Sequence, residues 1–216
     1  MTQLEIVVRG SASGSFAPEL ALVHLRVSLT GAQRDSVYRE AIEVHARLVS
    51  SLEAAAAASA VSKWTSESVH VYSHRPYDAE GKPREPVYSA NIGLDASFVD
   101  FDELDRFIDT WAVRAGVEIG GVTWDLTPQT RRLQEAELRR AAVEDAVAKA
   151  QAYADAVGKG GVVATQLADP DMLSEARPMP RGMMLAAAKV DGAPGLELHA
   201  DDIELAVSVD ARFVAK

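Results

Sequence analysis

Between Tyr88 and Phe98 the chain reads YSANIGLDASF, and Tyr88, Ala90, Ile92, Leu94, Ala96 and Phe98 fall on every second position. Alternation at period two sets one face of an extended strand against a core and leaves the other wet. The pattern recurs in ALVHLRVSLT (Ala21 to Thr30), where Val23, Leu25, Val27 and Leu29 alternate with His24, Arg26, Ser28 and Thr30. It returns in IELAVSVDARFV, with Ile203, Leu205, Val207, Val209, Ala211 and Phe213 on one side. No strand candidate is the continuous apolar run that a parallel sheet covered on both faces requires. The chain is therefore expected to build antiparallel sheet with one open face.

Elsewhere the period changes. From Arg34 to about Ala60, Val37, Ala41, Val44, Leu48 and Leu52 recur at three- and four-residue steps, which predicts an amphipathic helix. Asp100 with Glu103 three residues on has the form of a capping box, heading a second helix that Gly116 ends. Thr127-Pro128 supplies a cap and an N1 proline for a third, long helix that stops at Gly158. Its predicted apolar stripe is Leu133, Ala136, Val143, Val147, Ala150, Ala154 and Val157, with side chains small enough for close approach to a sheet. Further strands are read at Leu4 to Gly10, Glu67 to His74, Val122 to Leu126 and in GGVVATQLA. GSASGSFAPE reads as a turn-rich reversal, and RPYDAEGKPREP as the exposed loop of a long hairpin. Asp169 to Pro194 holds four prolines and no consistent period, and Met172 to Ala193 reads as the most mobile long segment.

The resulting order is β-β-α-β-β-α-β-α-β-β. It predicts an α+β fold, a largely antiparallel sheet with two or three long helices packed on one face. Residues 1–216 read as a single domain, with room for two sub-lobes divided near 99–127.

Composition removes several function classes. Lys+Arg is 22 against Asp+Glu 32, a net charge of -10 that repels phosphate backbones and anionic lipid. No nucleic-acid partner and no stable membrane insertion are expected, and no apolar run approaches the ~18 residues of a membrane span. The absence of cysteine eliminates thiol nucleophiles, thiolate metal sites and disulfides. MTQLEIVVRG lacks a basic n-region followed by an apolar h-region, so a cytoplasmic location is expected. A chain from which a signal peptide had been removed would instead be periplasmic or secreted.

The polar residues form no local catalytic motif. His70 and His74 on one strand lie roughly 13 Å apart, too far for one metal. His24 falls on the polar face of its strand, His45 on a helix, and His199 near Asp201 and Asp202. A site assembled from such distant His and Asp residues stays open as an alternative. The groups Asp100/Asp102/Glu103, Asp169/Asp171 and Asp201/Asp202 sit at element boundaries, where caps and turns use them. G-x-S-x-G, H-E-x-x-H and P-loop patterns are absent, and GSASG leads into a strand and not a helix. Met179, Met183 and Met184 read as adaptable contact surface in preference to a copper site. No catalytic, cofactor-binding or metal residue is assigned, and no cofactor is expected.

Four stretches carry a resemblance. They are VVRGSASGSFAPELA, PVYSANIGLDASFVDFDELDRFID, GVTWDL, and above all Ala142-Val143-x-Asp145-Ala146-x-x-Lys149-Ala150 followed by Ala154 and Gly158. Over nearly its whole length the chain resembles the SIMPL-domain family, also called DUF541. It departs from the family pattern in the wider spacing of Gly10 and Gly14, in Glu19 at a common Asp, and in Trp124 at a usual Phe. The resemblance implies an α+β fold, a tendency to self-assemble and no established reaction; many such relatives begin with a signal peptide. The expectation is a non-enzymatic bacterial protein that forms a homo-oligomer, dimer or larger, with an undefined interaction or stress-related role. Open strand edges at VHVY and IELAVSV add to that expectation. The rival is a small-molecule-binding protein or hydrolase with its site beneath the 169–194 loop.

Overall fold

A computed structural model of the chain describes residues 4–173 and 200–216. His199, the Met179/Met183/Met184 cluster and nearly all of Met172 to Ala193 lie outside the described residues. The elements are β1 (Leu4–Phe16), β2 (Leu20–Gly31), α1 (Arg34–Ala57), β3 (Val61–Ser66), β4 (His70–His74), β5 (Val87–Phe98), α2 (Phe101–Ala112), β6 (Val117–Asp125), α3 (Pro128–Ala156), β7 (Val162–Ala168) and β8 (Ile203–Ala215). All strand pairs are antiparallel, as the alternation requires. The α+β class and the element order hold, with β3 an added strand. The sequence of β3, VSKWTS, is too short and polar to show a period. Two compact units result, one holding β2 through β6 and the other β1, α3, β7 and β8.

In the first unit the strands run in the order β3-β5-β2-β6, and β4 extends the β5 pairing beside β3. Ala21, Val23, Leu25 and Val27 of β2 and Ala90, Ile92, Leu94, Ala96 and Phe98 of β5 are buried on one face. Against it α1 presents Val37, Ala41, Leu48 and Leu52, and α2 presents Leu104, Phe107, Ile108 and Trp111. Half of the capping box forms: the Asp100 carboxylate accepts the Glu103 N–H at 3.0 Å, while Glu103 pairs with Arg106 at 3.0 Å. Gly116, at φ +79, turns the chain into β6 in a conformation that other residues resist.

The second unit corrects three expectations. First, GSASG is not a reversal, since β1 runs unbroken to Phe16 in register with β8. Its Gly10 serves close approach: a Cβ there would sit 1.9 Å from the Ala142 carbonyl oxygen and 2.7 Å from the Ala146 nitrogen. Second, the buried line of α3 is Leu138, Ala142, Ala146, Ala150 and Ala154, at uniform four-residue steps. Leu133, Val147 and Val157 of the predicted stripe are exposed. Where helix backbone lies on strand backbone only methyl-sized side chains fit, so the larger residues turn outward. Third, IELAVSV is not an edge, because the strand order β1-β8-β7 places β8 in the middle with partners on both sides.

The edge of this sheet at β1 is closed by side chains of α3. The Asp145 carboxylate accepts the Ser11 N–H at 2.8 Å and pairs with Lys149 at 2.6 Å, and Lys149 donates to the Arg9 carbonyl at 3.0 Å. These two backbone groups flank Gly10. The Lys149 and Ser11 hydrogen bonds hold the Asp145 carboxyl below the usual carboxylate range.

Candidate functional site

The five-stranded sheet has a second face, built from the polar half of each alternation. On β2 it carries His24 and Arg26; across the ladder, His24 opposes Asp95 and Arg26 opposes Gly93 on β5. On the other side Arg26 opposes Glu118 of β6. The β2–β6 pairing shifts register between Val23 and Leu25, at the position of His24, and such irregularities re-aim side chains. Two glycines lower the floor. A Cβ on Gly93 would lie 2.6 Å from Oε2 of Glu67, whose carboxylate overhangs it from the β3–β4 connection. One on Gly120 would lie 3.1 Å from the His24 carbonyl oxygen and 3.2 Å from the His24 Cβ.

The outcome is a hollow of about 720 Å³ lined by His24, Arg26, Glu67, Asn91, Asp95 and Glu118 among others. That volume lies within the range of small-molecule sites. Nδ1 of His24 is 2.5 Å from Oδ1 of Asp95, so the carboxylate orients the ring and leaves Nε2 for another partner. The two side chains are 66% and 62% exposed, and a ligand reaches them without any opening of the fold. Among the described residues, Arg26, Glu67 and Glu118 make no ion pair or side-chain hydrogen bond.

The remaining candidates are dispersed. His70 sits at the edge of the hollow, its ring centroid 5.7 Å from that of Tyr72, and His74 ends the same strand. His45 of α1 meets the Ser66 hydroxyl at 2.7 Å, and burial lowers its pKa. Asp202 accepts the Ser15 hydroxyl at 3.1 Å. The fold brings His24 to Asp95, 71 residues away and not among the acidic residues grouped from the sequence. Asp95, Arg26, Glu67, Asn91 and Glu118 are not singled out by the sequence. The available signal was glycine at Gly93 and Gly120 inside strands, where glycine marks a bulge or a close approach.

Asp171 belongs to a structural clamp. Arg9 grips Asp210 through Nε at 2.6 Å and Nη2 at 3.0 Å, and reaches Asp171 Oδ1 at 2.7 Å. Asp210, with its side chain 10% exposed, also accepts the Asp171 N–H at 2.7 Å. The Arg9 hydrogen bond, supported by the Asp171 N–H, holds the Asp210 carboxyl below its ordinary value against the opposing effect of burial. A depressed folded-state pKa contributes stability that is complete above the unfolded value of about 3.9 and fades as pH falls through the folded one. Asp210→Asn is therefore expected to cost about 1–2 kcal/mol at pH 7. It should also flatten the loss of stability between about pH 5 and pH 2. Urea unfolding of both proteins across that range checks it, and parallel curves would contradict the clamp.

Over residues 6–213 the sequence matches the family model SIMPL, described as a protein of unknown function, DUF541. The chain belongs to the SIMPL family. No curated protein matches it. In this SIMPL domain the signature around Asp145 and Lys149 locks α3 to β1, while the hollow is built from other strands. Among the described residues no group of three or more His, Asp or Glu is placed to hold a metal, and no helix is long and apolar enough to cross a membrane.

Proposed function

We propose that this SIMPL domain, taken as one domain over residues 1–216, is a non-enzymatic binding protein that holds a small polar molecule in the hollow of its five-stranded sheet. The convergence of the His24–Asp95 pair, Arg26 and Glu67, whose carboxylate rests over Gly93, carries the reading. Binding is favoured over turnover because these groups stand in water, whereas acid–base catalysis relies on desolvation to tune its groups. Ligand-observed NMR with a library of charged and neutral polar fragments tests it. Gly93→Val raises the floor, the nearest atoms to its Cβ being the flexible end of Glu67, and valine suits a strand. Fragments should bind the parent protein and lose at least about tenfold in affinity for Gly93→Val, a difference of ~1.4 kcal/mol. An unchanged set of binders would overturn the reading.

A second reading is homo-oligomerisation, in the interaction or stress-related role and cytoplasmic setting expected from the sequence. It is favoured by β4, which pairs only with β5 and keeps its other edge free of any strand among the described residues. The contrast with the edge closed by Asp145 and Lys149 is direct, and a second copy pairing at β4 would satisfy its backbone. Light scattering behind size exclusion should give a multiple of the 23.1 kDa chain mass. A monomer peak unchanged on concentration removes this reading.

A further inference from the structure

We infer that the molecule held in the hollow is a small zwitterion, with a carboxylate and an ammonium group a few atoms apart, as in a free amino acid or a dipeptide. This rests on the hollow being a binding site. Arg26 lies on β2, flanked by strands on both sides, with Gly93 opposite it on β5 and Glu118 opposite it on β6. Because Gly93 has no side chain, the Glu67 carboxylate settles over it and so stands on that flank of Arg26. A guanidinium thus stands between two glutamates that arise three strand spacings apart, roughly 14 Å, with the Glu67 carboxylate reaching back over Gly93 toward it.

That order of charges discriminates among ligands. A simple anion pairing with Arg26 also meets Glu67 and Glu118, and a simple cation drawn to either carboxylate also meets Arg26. A neutral sugar leaves all three charges to lose water without a counter-charge. A zwitterion pairs with both signs at once: its carboxylate takes the planar guanidinium in a two-pronged hydrogen bond, and its ammonium takes Glu67 or Glu118. Nε2 of His24 and the amide of Asn91 remain for the atoms between its charged ends.

Calorimetric titration with three probes tests the inference. Glycylglycine carries both charges and no side chain, N-acetylglycylglycine lacks the ammonium, and glycylglycinamide lacks the carboxylate. Glycylglycine is expected to bind at least about tenfold more tightly than either derivative. Arg26→Gln should abolish its advantage over the amide, and the double variant Glu67→Gln, Glu118→Gln its advantage over the acetylated form. All three residues are exposed, and circular dichroism of each variant checks that it keeps the fold. Equal binding of the three probes overturns the inference, as does glycylglycine binding that Gly93→Val leaves intact. If glycylglycine does not bind while other fragments still occupy the hollow, the zwitterion falls and the binding reading stands. If no fragment binds there, both fall.

Discussion

Replacing Gly10 by alanine is expected to cost about 3 kcal/mol, near the upper end for overpacking. The added methyl would stand 1.9 Å from the Ala142 carbonyl oxygen and 2.8 Å from the Ala146 Cβ. Neither obstacle is a flexible side-chain end, so α3 has to lift from β1. Lifting opens the contacts of Ala146, Ala150 and Ala154 with Ile6, Val8 and Phe213. It also draws Asp145 and Lys149 away from the Ser11 N–H and the Arg9 carbonyl. Thermal unfolding followed by circular dichroism should show a midpoint lower by about 10 °C, at the 2–4 °C per kcal/mol typical of a chain this size. Hydrogen exchange should quicken first along α3. Gly121→Ala is the control, because a Cβ there meets nothing within 4 Å, and it should stay within about 0.5 kcal/mol. Equal effects of the two substitutions would mean that close approach is not what Gly10 provides.

The largest expected loss follows from Phe98→Ala. Phe98 is 0% exposed and ends β5, where its neighbours across the ladders are Ala21 on β2 and Val61 on β3. Its ring centroid lies 5.3 Å from that of Phe107, the planes tilted by 57°, and Phe107 in turn lies 6.2 Å from Trp111. Removing it from a site bounded on all sides leaves a cavity that strands cannot close, at a cost of about 4 kcal/mol. Trp64, Trp111 and Trp124, all in the unit of β2 through β6, make tryptophan emission a direct reporter of this loss. The denaturant midpoint should fall with little change in slope. Phe98→Leu keeps most of the volume and should recover all but about 1.5 kcal/mol. A change below that for Phe98→Ala would show that the site relaxes freely.

Of the fold, the parts written in local patterns were legible. Alternation in β2, β5 and β8 identified which residues face a core, and Val23, Ile92 and Phe213 are buried accordingly. Caps were legible for the same reason, since a cap is decided within one turn: Asp100 accepts from the Glu103 N–H, and Thr127 accepts from the Thr130 N–H at 3.2 Å. Of the expected α3 stripe Ala150 and Ala154 are buried and Leu133, Val147 and Val157 are not; that stripe followed hydrophobicity, which ranks valine and leucine above alanine. The opposing surface, at Gly10, admits only the smaller residue. Of the candidate site only the polarity of His24 and Arg26 could be read.

The alternation of β2, β5 and β8, the caps of α2 and α3, and the lack of any thiol are properties of short windows or of composition, so the sequence alone determined them. The middle place of β8 depends on partners elsewhere in the chain: Asp210 meets Arg9 across 201 residues. So does the meeting of His24 with Asp95 across 71 residues. A hollow is space left by residues that lack side chains, bounded by residues remote from them in sequence. No periodicity records such a space, and only the tertiary structure decides where it lies.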